Sequence, residues 1–146
     1  MPTEASHPPP EGQSTRPALP PAVIVRGLTD ARAVLALGRP ALLLSPPEAV
    51  TVLGPAWWVA MVAAAREDGG AAPDMLDCGS LAGRAQEALA LGAGGIVFSG
   101  EAGQAAALAS IAAARGALFL RFPPPALDMG AYGAERRLAQ WLAPPE

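Results

Sequence analysis

The chain has 146 residues, a net charge of −3, 51% hydrophobic residues and only 16% charged ones, against roughly 25% charged in an ordinary soluble domain. That is enough for one domain with a single core, and the missing charge implies a surface rich in Ala and Gly or one partly covered by another chain. No basic run occurs, so nucleic acid is not an expected partner.

Residues 1–21 carry Pro at positions 2, 8, 9, 10, 17, 20 and 21. Proline fixes φ and removes a donor, so a disordered or extended tail is expected there, with no charged start and apolar stretch of a secretory signal. An α/β domain is expected over 22–146. "AVIVR" (22–26) reads as a first buried strand, Thr29 or Asp30 as the cap of a helix over 30–37, and Gly38 as its left-handed stop. "ALLLS" (41–45) is the second strand, and 45–54 is a longer connection with room for a short turn. Pro55 then opens a helix at the position where its missing N–H costs nothing. This helix, "PAWWVAMVAAARED", is apolar nearly all round and is expected to be buried on more than one side. The apolar run Ala49–Ala65 that contains it is interrupted at Gly54-Pro55 and is shorter than the roughly 20 residues of a membrane span. No membrane association is expected.

"DMLDC" (74–78) is the third strand, 80–91 a helix, "GGIVFS" (94–99) the fourth strand, 102–115 a helix and "ALFLRF" (117–122) the fifth strand. "PPPALDMGAYG" reads as a loop, and 134–142 closes the chain as a helix with Leu138, Trp141 and Leu142 on one face. "ALGRPALLLS" (36–45) and "ALGAGGIVFS" (90–99) align without gaps as helix end, glycine, strand and terminal Ser. Repeated helix-to-strand steps imply a parallel sheet with right-handed crossovers. About five parallel strands alternating with helices are expected, arranged as a flavodoxin-like doubly wound sheet or as a half barrel. The first is favoured because uninterrupted apolar strands suit a sheet covered by helices on both faces. The "GAGGIVFS" step is similar to single units of (β/α)-barrel enzymes, which implies the second.

The chemistry available is narrow. The chain has no Lys and no Asn, and its one His is His7 in the tail. This excludes Schiff-base chemistry, a Walker-type phosphate loop, histidine-based nucleophilic catalysis and His-ligated zinc in the folded part. In parallel α/β sheets ligands bind beyond the carboxyl ends of the strands. That rim is expected to gather Arg26, Gly27, Thr29, Ser45, Glu48, Asp77, Cys78, Gly79, Ser80, Ser99, Gly100, Glu101 and Arg121. Thr29, Ser45, Gly79, Ser80, Ser99, Gly100 and Arg121 suit a small anion; the same residue types also make ordinary caps and tight turns.

"CGSLAGR" (78–84) places Arg84 six residues after the only cysteine, Cys78, between a strand and a helix. It resembles the phosphate-binding loop of cysteine-dependent phosphatases, although Leu81 stands where that loop has glycine. The resemblance implies Cys78 as nucleophile and Arg84 as phosphate clamp, with Asp128 as general acid. The plainer alternative is a buried strand-end cysteine. Asp77, at an apolar strand end, could act as a base or join Glu101 or Glu48 round a divalent cation, or could serve as a cap or ion-pair partner. Trp57 and Trp58 diverge by about 100° on a helix, so one should pack on the sheet and the other could mark an interface. No cofactor and no resident metal are expected, and a single thiol suits the cytoplasm. The readings in order are a non-catalytic module that forms homo-oligomers or binds a protein, a binder of or carboxylate enzyme for a small anionic ligand, and a cysteine phosphatase.

Overall fold

The computed structural model describes residues 18–144; the expected tail therefore lies, through residue 17, outside the described residues, and so does His7. Its elements run β1 (Ala22–Ile24), α1 (Leu28–Ala36), β2 (Leu42–Leu44), α2 (Ala49–Val52), α3 (Gly54–Ala65) with a 3-10 turn (Arg66–Asp68), β3 (Asp74–Asp77), α4 (Ala82–Leu91), β4 (Gly95–Val97), α5 (Ala102–Ala114), β5 (Leu118–Leu120), β6 (Ala126–Asp128) and α6 (Ala134–Trp141). The domain begins earlier than Ala22: Leu19 packs on core residues and the Leu42 N–H donates to the Pro21 carbonyl at 2.9 Å.

All six strands are parallel, in the order β5-β4-β3-β2-β1-β6. Between β1 and β5 each strand lies beside its sequence neighbour, with no reversal of order inside the run. The half-barrel arrangement is thus the one the chain adopts, and the doubly wound alternative is set aside. The side chains give the reason. Val23, Leu43, Leu76, Ile96 and Phe98 share one core with the helices. On the other face Ala22, Leu42, Leu44, Met75 and Val97 form a separate buried cluster, joined by Leu19, Ile24, Leu118, Leu120 and Ala126, without a helical residue among them. Side chains buried on an uncovered face require the sheet to curve round them, as a barrel fills its own interior. Apolar strands follow as well from this packing as from helices on both faces.

The sixth strand falls inside the expected loop. Ala126–Asp128 pairs with β1 in register Ala22↔Ala126 and Ile24↔Asp128. Three prolines (123–125) and a length of three residues hide it in the sequence, because only its long-range pairing makes it a strand.

Helix α3 follows its composition: Trp58, Met61, Val62 and Ala65 are buried and Trp57 is half-buried. At the amino end of β3 the buried Asp74 carboxylate accepts from Trp58 Nε1 (3.1 Å), Arg66 Nη2 (3.0 Å) and Gly94 N (3.0 Å). Arg66 also reaches the Ala72 carbonyl. Four segments are tied by one buried carboxylate whose lone pairs are occupied, the condition under which buried charge is tolerated. Gly94 belongs to this arrangement, since a Cβ there would come within 2.6 Å of Asp74 Oδ1.

Candidate functional site

The carboxyl ends of the strands hold two groups of polar residues. The first joins β1, β6 and the chain before α2. Arg26 Nε and Nη2 donate to Asp128 Oδ1 (3.0 Å) and Oδ2 (2.8 Å), and Nη1 donates to Glu48 Oε2 (2.9 Å). The bidentate fork lies across Gly130, where a Cβ would approach Arg26 Nε to 2.5 Å. The Gly130 N–H also donates to Asp128. Arg26 holds the carboxyls of Asp128 and Glu48 below their ordinary values, for Glu48 behind the larger effect of its own backbone N–H, while the two carboxylates keep Arg26 firmly charged. The group is closed on itself: one cation faces two anions, and Asp128 has no proton to give at neutral pH. The general-acid role suggested for Asp128 has no support in this geometry.

The second group joins the ends of β3, β4 and β5. The Ser99 N–H donates to the Gly79 carbonyl (2.8 Å), and Arg121 donates to the Phe98 (3.1 Å) and Gly100 (2.7 Å) carbonyls. Ser45 is fully buried; its Oγ accepts from the Asp77 N–H (2.8 Å) and donates to the Pro46 carbonyl (3.2 Å). Asp77 is buried, and among the described residues its carboxylate has a single partner, the Gly79 N–H at 3.0 Å. Burial pushes its carboxyl pKa upward, against the smaller opposing effect of that hydrogen bond. Of the expected anion ligands, Gly79, Ser99, Gly100 and Arg121 are brought together, Ser45 is spent on the backbone, and Thr29 and Ser80 are exposed. Neither Thr29 nor Ser80 caps a helix. Gly27 and Leu81 occupy those positions without side-chain bonds, and the Asp30 carboxylate instead accepts from the Arg26 N–H at 2.9 Å.

The "CGSLAGR" stretch does not form a phosphate cradle. Cys78 points into the helix-side core with no exposure, and its thiol donates to the Leu76 carbonyl oxygen at 3.6 Å. Burial, aided by the neighbouring charge of Asp77, pushes the thiol up to about 12, the opposite of what a thiolate nucleophile needs. Arg84 lies within α4, exposed, and pairs with Glu87 at 3.0 Å. The strand alternation explains this: Leu76 and Cys78 face the helices, whereas Met75 and Asp77 face the interior.

The divalent-cation alternative is not assembled either. Among the described residues no group of three or more His, Cys, Asp or Glu side chains could hold a metal ion. Glu101 is occupied as the cap of α5, accepting from the Gly103 N–H (2.9 Å) and the Gln104 N–H (3.0 Å). Trp58 is inside the core, so an interface expectation can rest only on the half-buried Trp57. Among the described residues no helix is long and apolar enough to cross a membrane.

Large apolar side chains are left exposed on the same rim. Val52 and Leu53 precede α3, Leu81 precedes α4, Phe122 follows β5 and Tyr132 follows β6, with Tyr132 94% and Val52 74% exposed. Arg136 stacks over the Tyr132 ring, 5.9 Å from its centroid. No family model matches the chain, and no curated protein matches it.

Proposed function

We propose that the protein is a non-catalytic α/β module that acts by association, first of all with copies of itself. One observation carries this reading: at the carboxyl ends of the strands, where this architecture places its chemistry, the charges of Arg26, Asp128 and Glu48 are closed on one another while Val52, Leu53, Leu81, Phe122 and Tyr132 are exposed. Exposed apolar side chains in a chain with so few charges suit contact with protein. The buried single thiol is compatible with a reducing compartment such as the cytoplasm. Sedimentation velocity of the full chain at micromolar concentration tests the reading. A mass that is a multiple of one chain is expected, and a single-chain mass throughout the micromolar range overturns it.

A second reading has one observation in its favour. Among the described residues the hydrogen bonds of Arg121 go to backbone carbonyls, which leaves its charge, felt by the Glu101 carboxylate, beside Ser99 and Gly100 where a small anion such as phosphate or a carboxylate could compete for it. Calorimetric titration with inorganic phosphate tests it: binding that Arg121→Gln abolishes is expected on this reading, and the absence of heat at millimolar phosphate removes it.

A further inference from the structure

The connection between β5 and β6 is a fixed ridge rather than a loose loop. Both strands point the same way and stand at opposite ends of the strand order, so residues 121–125 run from the carboxyl end of one to the amino end of the other. An α-helix would cover only about 9 Å over the steps from Leu120 to Ala126, whereas a polyproline II segment covers about 19 Å. Pro123, Pro124 and Pro125 impose the second form: each fixes its own φ, and each holds the residue before it extended. The exposure follows the three-residue turn of that helix. Arg121 and Pro124 are half-buried, while Phe122, Pro123 and Pro125 are exposed, Phe122 to 68%. One edge of the ridge therefore rests on the domain and two face outward, with Phe122 and Pro125 in line on one of them. Among the described residues no hydrogen bond reaches the carbonyls of Phe122, Pro123 and Pro124.

The same chain carries a groove that suits such a ridge. Arg137, Gln140 and Trp141 share one exposed face of α6 and, with Leu127 as the floor, line a groove of about 330 Å³. Among the described residues the side-chain hydrogen bonds at α6 are those of Trp141 with the Ala22 carbonyl and of Arg39 with the Ala139 carbonyl. The indole is thereby held in place, and the donors of Arg137 and Gln140 remain open to a ligand. Polyproline II segments are taken up by aromatic grooves because they offer ring faces and bare carbonyls but no N–H, with little conformational freedom left to lose.

We infer that two copies of the chain join by exchanging these parts, the Phe122–Pro125 ridge of each lying in the Trp141 groove of the other. The inference rests on the reading of the protein as self-associating, in which Phe122 is one of the exposed rim side chains, and it names the surfaces responsible. The ridge carries no charge, so its carbonyls are what Arg137 and Gln140 can meet. A chain's own ridge does not line its own groove, although Pro125 and Leu127 are close in sequence. Ridge and groove therefore lie near each other in one copy, both unfilled. A twofold axis fills both at once and closes the assembly at two chains.

Sedimentation equilibrium of full-length chains tests the exchange. Phe122→Ala breaks the ridge, and Arg137→Ala with Gln140→Glu breaks the groove by setting a carboxylate against bare carbonyls; all three side chains are exposed. Each variant alone should show a dissociation constant raised about tenfold or more, as loss of an interface anchor does. An equimolar mixture of the two variants should assemble more tightly than either alone, because it restores one intact ridge in one intact groove. Tyr132→Ala, on the rim but outside both parts, should leave the dissociation constant unchanged. Circular dichroism and the protection of Cys78 from alkylation establish that each variant is folded. If the ridge and groove variants assemble as well as the unaltered chain, these surfaces are not the interface and self-association stands through another one. A mixture no tighter than its components, or a loss with Tyr132→Ala as large as with Phe122→Ala, also overturns the exchange. If the unaltered chain is a monomer, the reading of self-association itself fails.

Discussion

At the β6 edge Arg26 forks onto Asp128, Arg39 reaches the Ala139 carbonyl at 2.9 Å and Trp141 Nε1 donates to the Ala22 carbonyl at 2.8 Å. Among the described residues, the side-chain polar contacts at the β5 edge are those of Arg121 with two neighbouring carbonyls. Leu127 of β6 is buried, whereas all three residues of β5 are half-buried. One end of the sheet is closed from within by polar contacts and a charged amphipathic helix. The other ends in half-buried apolar side chains beside a helix without charged residues. The two terminal strands thus differ in how their own chain protects them, and the charge pattern of the adjacent helix differs in the same sense.

The largest effect expected from breaking this contrast is at the closed edge. Leu127→Ala removes a buried side chain beneath α6 and should cost about 3 kcal/mol, as large-to-small changes in a packed core do. Leu118→Ala, at the half-buried edge, should cost about half as much in dilute solution. Urea denaturation of both variants sharpens the comparison. Equal costs would remove the distinction between the edges.

Next in size is the loss of the segment that guards the interior. Leu19 packs on the interior cluster and lines one groove with Leu118 and Leu120, and the Pro21 carbonyl accepts from the Leu42 N–H. Deleting residues 1–21 should therefore destabilise the domain by about 2 kcal/mol relative to deleting 1–17, one half-buried leucine and one backbone hydrogen bond. Thermal melts of the two truncated chains would settle the point; identical midpoints would mean that Leu19 contributes nothing.

Arg26→Met should cost less, about 1 kcal/mol at neutral pH, because the pair is partly exposed and screened. Its signature is in the acid limb. The Asp128 and Glu48 carboxyls lie below their ordinary values in the fold, so their contribution is complete above the unfolded carboxyl range and is lost as pH falls through the lower folded values. Stability of the unaltered protein should fall below about pH 4, and the variant should show a flatter decline. An unchanged acid limb would show that Arg26 does not hold the edge.

Much of this architecture can be read from the residues, and the part that cannot has a physical cause. Nearly every helix and strand from β1 to β5 is marked by a local signal: an apolar run of strand length, or a glycine at the left-handed stop of a helix, as at Gly38, Gly92 and Gly116. The order of the strands is not local, and neither is the choice between a flat sheet and a curved one. Both depend on which side of each strand meets the helices. For the same reason the candidate site was only partly legible. The adjacency of Asp77 and Cys78 suggests a shared loop, but strand alternation sends them to opposite faces. Asp74 gave no sign of its role, because Trp58, Arg66 and Gly94 come to it from three other places in the chain.

That alternation leads to the smallest predicted effect. Asp77 faces the interior, its carboxylate accepts from the Gly79 N–H, and its carboxyl pKa is raised by burial. The sign is opposite to that of Asp128. A folded value above the unfolded one means that the protonated acid suits the fold, so stability contributed by this group is present below about pH 4 and lost as pH rises through the folded value. Asp77→Asn keeps a carbonyl oxygen for the Gly79 N–H and removes the ionisation. It should leave stability at pH 7 unchanged or slightly raised, and bring no change below the unfolded carboxyl range. Urea titrations at the two pH values measure the difference directly. A clear loss at pH 7 would show that the charge itself is needed at this position. An Asp kept ionised at a barrel mouth despite burial would then be the strongest indication that the carboxyl rim binds a ligand after all.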